Sequence, residues 1–114
     1  MSKLVRGILP ALVTPFDNDL ELDIGRVEPL IQKLLESDIG GFFVCGGTGE
    51  GRVMTVPERK RMGEAAVKTV SGRVPVILHV GGTTTEDAVE LAAHAPGIGA
   101  DAVASVAPAD RPND

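Results

Sequence analysis

Gly41-Phe42-Phe43-Val44-Cys45, followed at once by Gly46-Gly47-Thr48-Gly49-Glu50-Gly51, decides the fold class. The first five residues are nearly all apolar and too few for a helix. No polar residue alternates with them, which is the pattern of a strand covered on both faces. Four glycines in the next six residues then break the run into a flexible loop. Just beyond, Thr55-Val56-Pro57-Glu58 has the form of a capping box with proline in the first turn. The Thr hydroxyl and the Glu carboxylate each satisfy one backbone N–H that the new helix leaves without a partner. A helix is expected from here to about Val70. Buried strand, glycine loop and capped helix together make one βα unit of a parallel sheet.

The same unit recurs on both sides. Val74 to Val80 (VPVILHV) reads as another buried strand, and Thr83-Thr84-Thr85-Glu86-Asp87 opens a helix through about Ala95, its acids near the positive end of the dipole. Asp101 to Ala107 reads as a further strand. Upstream, Ile8 to Val13 (ILPALV) is a strand with Pro10 inside it, which implies an edge position or a local irregularity. Val27, Leu30, Ile31, Leu34 and Leu35 carry the i, i+3, i+4, i+7, i+8 spacing of an amphipathic helix stopped by Gly40-Gly41. Pro29 requires either that the regular helix begins near Glu28 or that its first turns are bent. Three βα units and a fourth strand make an α/β protein, a single incomplete domain over residues 1–114. A doubly wound sheet and a (β/α)₈ barrel both satisfy this order. A barrel needs roughly 250 residues, so the chain amounts to about half of one.

Composition narrows the function. The 114 residues are 43% hydrophobic with a net charge of −5, and the mean hydropathy is +0.14. These values are ordinary for a soluble domain. No apolar run approaches the roughly 18 residues of a membrane span, and no signal-peptide core follows Lys3 and Arg6, so no membrane association and a cytoplasmic location are expected. One cysteine, Cys45, and two histidines, His79 and His94, offer no metal-ligand spacing. Neither metal nor cofactor is expected. Six of the eleven Lys/Arg residues (Arg52, Arg59, Lys60, Arg61, Lys68, Arg73) fall in one stretch, read as a solvated helix face in preference to a phosphate-contacting patch. With an acidic balance and no Trp or Tyr to stack on bases, nucleic acid is not an expected partner.

In a parallel α/β architecture ligands bind at the carboxyl ends of the strands, which singles out Thr14, Gly46–Gly51, Gly81–Thr85 and the residues from Pro108 onward. The glycine loop lets backbone N–H groups approach an anion closely, and Thr48 adds a hydroxyl. As a phosphate loop it fails, because Arg52-Val53 stands where lysine and Ser/Thr are needed. As a dinucleotide fingerprint it has the wrong last spacing. A turn that only permits a tight strand-to-helix connection is the plain alternative to a carboxylate site. His79, near a strand end, reads as a hydrogen-bonded structural histidine before a base, and Cys45 as a small core residue before a nucleophile.

Ala11-Leu12-Val13-Thr14-Pro15-Phe16, Gly46-Gly47-Thr48-Gly49-Glu50, Pro75-Val76-Ile77 and Gly99-Ala100-Asp101-Ala102 stand in the order and approximate spacing of the dihydrodipicolinate synthase and N-acetylneuraminate lyase family, which this chain resembles over nearly its whole length. The resemblance implies a (β/α)₈ (TIM) barrel and a class I lyase or aldolase, which forms a Schiff base between a barrel lysine and a 2-oxo acid such as pyruvate. It implies that Thr48, Gly47 and their N–H groups bind the substrate carboxylate and that Ala11 lines the pocket floor. A homo-oligomer is expected on separate grounds, because a half-barrel leaves the first and fourth strands unpaired and its apolar face uncovered. The family's lysine and its tyrosine lie on later strands, beyond Asp114. Lys33, Lys60 and Lys68 fall on helices and Lys3 before the first strand, so no catalytic residue is assigned within the chain. Two differences stand out. Gly47 replaces the family's Ser or Thr, and Pro108-Ala109-Asp110-Arg111-Pro112 replaces Pro-Tyr-Tyr in a chain without tyrosine. Both point to a related aldolase or dehydratase in place of dihydrodipicolinate synthase itself. The competing expectation is a non-catalytic half-barrel that binds a carboxylate or assembles with a partner.

Overall fold

The computed structural model describes residues 5–108. Three strands, β1 (Phe42–Val44), β2 (Val76–His79) and β3 (Ala102–Ala104), form a parallel sheet in that order. Helices α1 (Val27–Leu35), α2 (Val56–Val70) and α3 (Thr85–Ile98) intervene. The run Ile8–Val13 lies along the outer edge of β1 and pairs parallel to it, but only as a single bridge, Ala11 to Phe43. The N–H of Phe43 donates to Pro10 (3.0 Å) and that of Leu12 to Phe43 (2.9 Å). Pro10 has no N–H to extend the ladder, which is why this edge is short.

Phe42, Val44, Val76 and Leu78 are buried against Val27 and Ile31 of α1, Met62, Ala66 and Val70 of α2, and Ala95 of α3. At about 1.5–3 kcal/mol for each large apolar side chain removed from water, this cluster is the main favourable contribution to the fold. All three helices thus cover one face, α1 packed on α2 and α2 on α3. The alternate residues form a row across the other face, Ala11–Phe43–Ile77–Ala102 in register. Ala11 and Ala102 of that row are exposed, and Phe43 and Ile77 half-buried. A doubly wound sheet places helices on both faces with a reversal of strand order. Sequential strands with every helix on one side are the wall of a barrel.

The local signals held with several adjustments. Thr55 Oγ1 accepts from Glu58 N (3.2 Å) while Glu58 Oε1 accepts from Thr55 N (2.9 Å), the full capping box. Pro29 is the third residue of α1, where an N–H has no intrahelical acceptor to lose. Gly40 does not stop that helix, which ends at Leu35. Gly40 is needed because a Cβ there would collide with the carbonyl of Arg6. Helix α3 runs past Ala95 to Ile98, through Pro96, and closes on Gly99 with φ +89°. Proline forfeits the bond to Ala92 there, and the Gly99 N–H, donating back to Pro96 (3.1 Å), completes the end. β3 is shorter than expected at both ends: Asp101 precedes it, bonding Val76 of β2 through both Oδ2, which accepts from Val76 N (2.8 Å), and its N–H, which donates to Val76 O (3.0 Å), and the strand closes at Ala104.

Candidate active site

Thr14, Gly46–Gly51 and Val80–Thr84 gather at the carboxyl ends of the strands. Thr14 is buried, and its Oγ1 donates to Gly49 O at 2.6 Å, joining the end of the first run to the glycine loop. Within the loop Gly51 N donates to Gly46 O and Glu50 N to Gly47 O, both at 3.1 Å. Cys45 and Glu50 bracket it, each with φ of 60°, a left-handed conformation that costs a non-glycine residue roughly 1–2 kcal/mol. Such residues persist only where their surroundings hold them. Gly47 and Thr48 are exposed, and among the described residues nothing accepts from their N–H groups. An open hollow of about 330 Å³ lies beside Gly47, lined also by Glu50, Arg52 and Val53. Ala11, on the face away from the helices, precedes Thr14 by three residues on the same strand run. The loop and Thr14 therefore occupy one end of the sheet, while Ala11 stands lower on the same face, level with Phe43 in the middle of β1. Nothing lies within 4 Å of a Cβ built on Gly47, so the space for a side chain is there and is unused.

Arg59 was hidden in the basic stretch. It is only 4% exposed, and its guanidinium reaches the carbonyls of His79 (2.6 Å), Gly81 (3.1 Å) and Cys45 (3.5 Å) and His79 Nδ1 (3.5 Å). Arg52 Nε donates to Gly82 O (3.1 Å), and Arg73 caps Val70 and Thr69 carbonyls. The stretch is therefore not a uniformly solvated face. The signal was its phase: Arg59 continues the buried stripe of Met62, Gly63, Ala66 and Val70 at helical spacing.

His79 accepts from Arg59 through Nδ1, because a guanidinium can only donate, and its ring meets Phe43 at 5.8 Å and 53°. Burial, and then the adjacent Arg59 charge, hold its pKa below the ordinary histidine value. Cys45 is buried, and burial pushes its thiol up to about 11 despite the pull of Arg59. Cys45 therefore stays a thiol at neutral pH and is not prepared as a nucleophile, while His79 is neutral with Nδ1 facing the Arg59 guanidinium. Lys33, Lys60 and Lys68 lie on α1 and α2, and Lys60 pairs with Glu90 at 2.8 Å. Lys3 and Ala109 to Pro112, including Arg111, fall outside the described residues. Among the described residues no group of three His, Cys, Asp or Glu is placed to hold a metal, and no helix is long and apolar enough to cross a membrane.

The profile of the Dihydrodipicolinate synthetase family matches residues 4–109. The N-acetylneuraminate lyase of Citrobacter koseri is 41% identical over 108 residues, 95% of this chain and 36% of its own length. The 4-hydroxy-tetrahydrodipicolinate synthase of Methanocaldococcus jannaschii is 40% identical over 105 residues, 92% of this chain and 36% of that protein. Among solved structures, a prophage protein of the dihydrodipicolinic acid synthase family from E. coli K12, in complex with pyruvate, superposes with a TM-score of 0.87 at 35% identity, over 93% of this chain and 36% of that one. These structural neighbours are (β/α)₈ barrels. The chain spans about a third of the length of the curated relatives it matches.

Proposed function

Because the chain belongs to the dihydrodipicolinate synthetase family, we propose that residues 1–114, a single incomplete domain, supply the carboxylate-binding part of a class I lyase acting on a 2-oxo acid such as pyruvate. The observation that carries this reading is the glycine loop. Thr14 fixes its far side through Gly49, and the N–H groups of Gly47 and Thr48 are left without acceptors at the mouth of the sheet. A carboxylate is matched by several converging donors, and two amides with the Thr48 hydroxyl form such a set. Holding the carboxylate there presents the neighbouring ketone to a lysine amine, which forms the Schiff base. In this reading the lysine is the one the family carries on a later strand, and Lys33, Lys60 and Lys68, which sit on α1 and α2, do not take its place. Ala11, without bulk, forms the floor. No cofactor or metal enters the scheme, and the protein works as a cytoplasmic homo-oligomer.

Incubating the native gene product with pyruvate and borohydride tests the reading. A single lysine should gain the reduced adduct, and Thr48→Ala should weaken pyruvate binding by about 1–3 kcal/mol if its hydroxyl serves a buried carboxylate. Absence of any adduct would refute the lyase reading. The exposure of Ile8 (73%), Val13 (51%) and Val106 (59%) favours one alternative, a non-catalytic half-barrel whose open face assembles with a partner. In that case carboxylate binding or association would persist with no adduct.

A further inference from the structure

Arg59 is a buried cation held by backbone carbonyls and by the nearby Asp87 charge in place of a direct ion pair. Its guanidinium donates to backbone carbonyls and the His79 ring, its Nε has no partner, and among the described residues no carboxylate forms an ion pair with it. Desolvating a charge and leaving Nε unmade are both costly; an apolar side chain on the stripe of Met62 and Ala66 would avoid both but would take the donors from the carbonyls of His79, Gly81 and Cys45. What Arg59 does accomplish is geometric. Cys45 O is the last carbonyl before the glycine loop and belongs to a residue strained at φ 60°. His79 O and Gly81 O belong to the end of the adjoining strand. A planar fork of donors can hold three carbonyls in fixed relation, which a flexible ammonium cannot. Thr14 holds the loop from the opposite side.

We infer that Arg59 is the positioning residue of the carboxylate loop, tying Cys45 to the end of β2 and so setting the direction in which the Gly47 and Thr48 donors face. The inference rests on the carboxylate reading above for its consequence, but the tie itself is independent of it. The effect is on ground-state capture of the 2-oxo acid, because Arg59 touches the loop's anchor and not the substrate.

The test compares Arg59→Lys and Arg59→Met with wild type and with Arg61→Ala, an exposed neighbour on α2, in the native gene product. The half-saturating pyruvate concentration for borohydride trapping should rise about tenfold in Arg59→Met and less in Arg59→Lys, with the maximal extent of trapping retained and Arg61→Ala unchanged. Amide hydrogen exchange in the peptide covering residues 45–51 should accelerate at least tenfold in both Arg59 variants. A lowered melting temperature with unchanged half-saturation and unchanged loop exchange would overturn the inference and leave Arg59 a structural residue only. If Arg59→Met does not fold, Arg59→Lys decides by the same two measurements. If wild type traps no pyruvate, the lyase reading fails, and the exchange of residues 45–51 still confirms or refutes the tie.

Discussion

Raising the pH through the alkaline range should destabilise this protein through one thiol. Cys45 is 3% exposed, and burial lifts its pKa from an ordinary 9.0 to about 11, the nearby Arg59 charge offsetting only part of that rise. The folded form therefore keeps its proton after the unfolded chain has lost it. The stability this contributes is fully present below pH 9.0 and is lost as pH climbs through about 11. At about 1.4 kcal/mol for each tenfold change in the proton equilibrium, the loss approaches roughly 3 kcal/mol, a large fraction of the stability of a small domain. Urea denaturation at a series of pH values, on wild type and on Cys45→Ala, measures it. Subtracting the variant cancels the contributions of every other group, which are common to both proteins. The chain has no tyrosine, so the ultraviolet band of the thiolate can be followed in the folded protein without phenolate overlap. The wild-type curve should fall away from that of Cys45→Ala above pH 9.0. Parallel curves, or a thiolate midpoint near 9.0 in the folded protein, would refute the reasoning.

Thr14→Val keeps the shape of the side chain but strands the Gly49 carbonyl, so it should cost about 1–3 kcal/mol in chemical denaturation, with Thr14→Ser recovering most of it. Gly51→Ala would press a Cβ into the Cys45 carbonyl, the one that Arg59 holds. A loss of about 1–3 kcal/mol is expected, whereas Gly47→Ala should be close to neutral in the same thermal melts. On the acid side, His79 has its pKa held below 6.5 by burial and then by Arg59, so the unfolded chain takes up a proton first and stability declines as pH drops below 6.5. In His79→Gln that decline should be smaller in a pH-resolved melt, and an unchanged slope would assign it to other groups.

Strand order, helix caps and the glycine loop were legible because each is a local matter of period, donor count and steric permission. Thr55 to Glu58 is the clearest case, since the two residues that announce the helix are the two that bond each other. Spacing alone could not choose between barrel and doubly wound sheet, because that depends on which face the helices cover; the motifs Ala11–Phe16 and Gly46–Glu50, through the family they resemble, pointed to the barrel. Thr14 stood out as the residue after the first run, but nothing in the sequence pairs it with Gly49, 35 positions away. Arg59 was misread for a related reason. Charge drew attention to its neighbours, and its position on the apolar stripe, which was visible, was overridden. The helix expected through about Ala95 in fact runs on through Pro96 to Ile98, and Gly99 closes it.

The loop's glycines are not equivalent, and the difference bears on how this site can diversify. Gly51 is locked by a neighbouring carbonyl, while Gly47 faces open space at the rim beside the donors proposed to receive the carboxylate. Selection can therefore introduce a hydroxyl, a charge or bulk at position 47 without first remodelling the scaffold, and remove it again as easily. Within a fixed barrel wall, this one position offers a nearly cost-free route by which descendants of the same loop could come to discriminate between different acids.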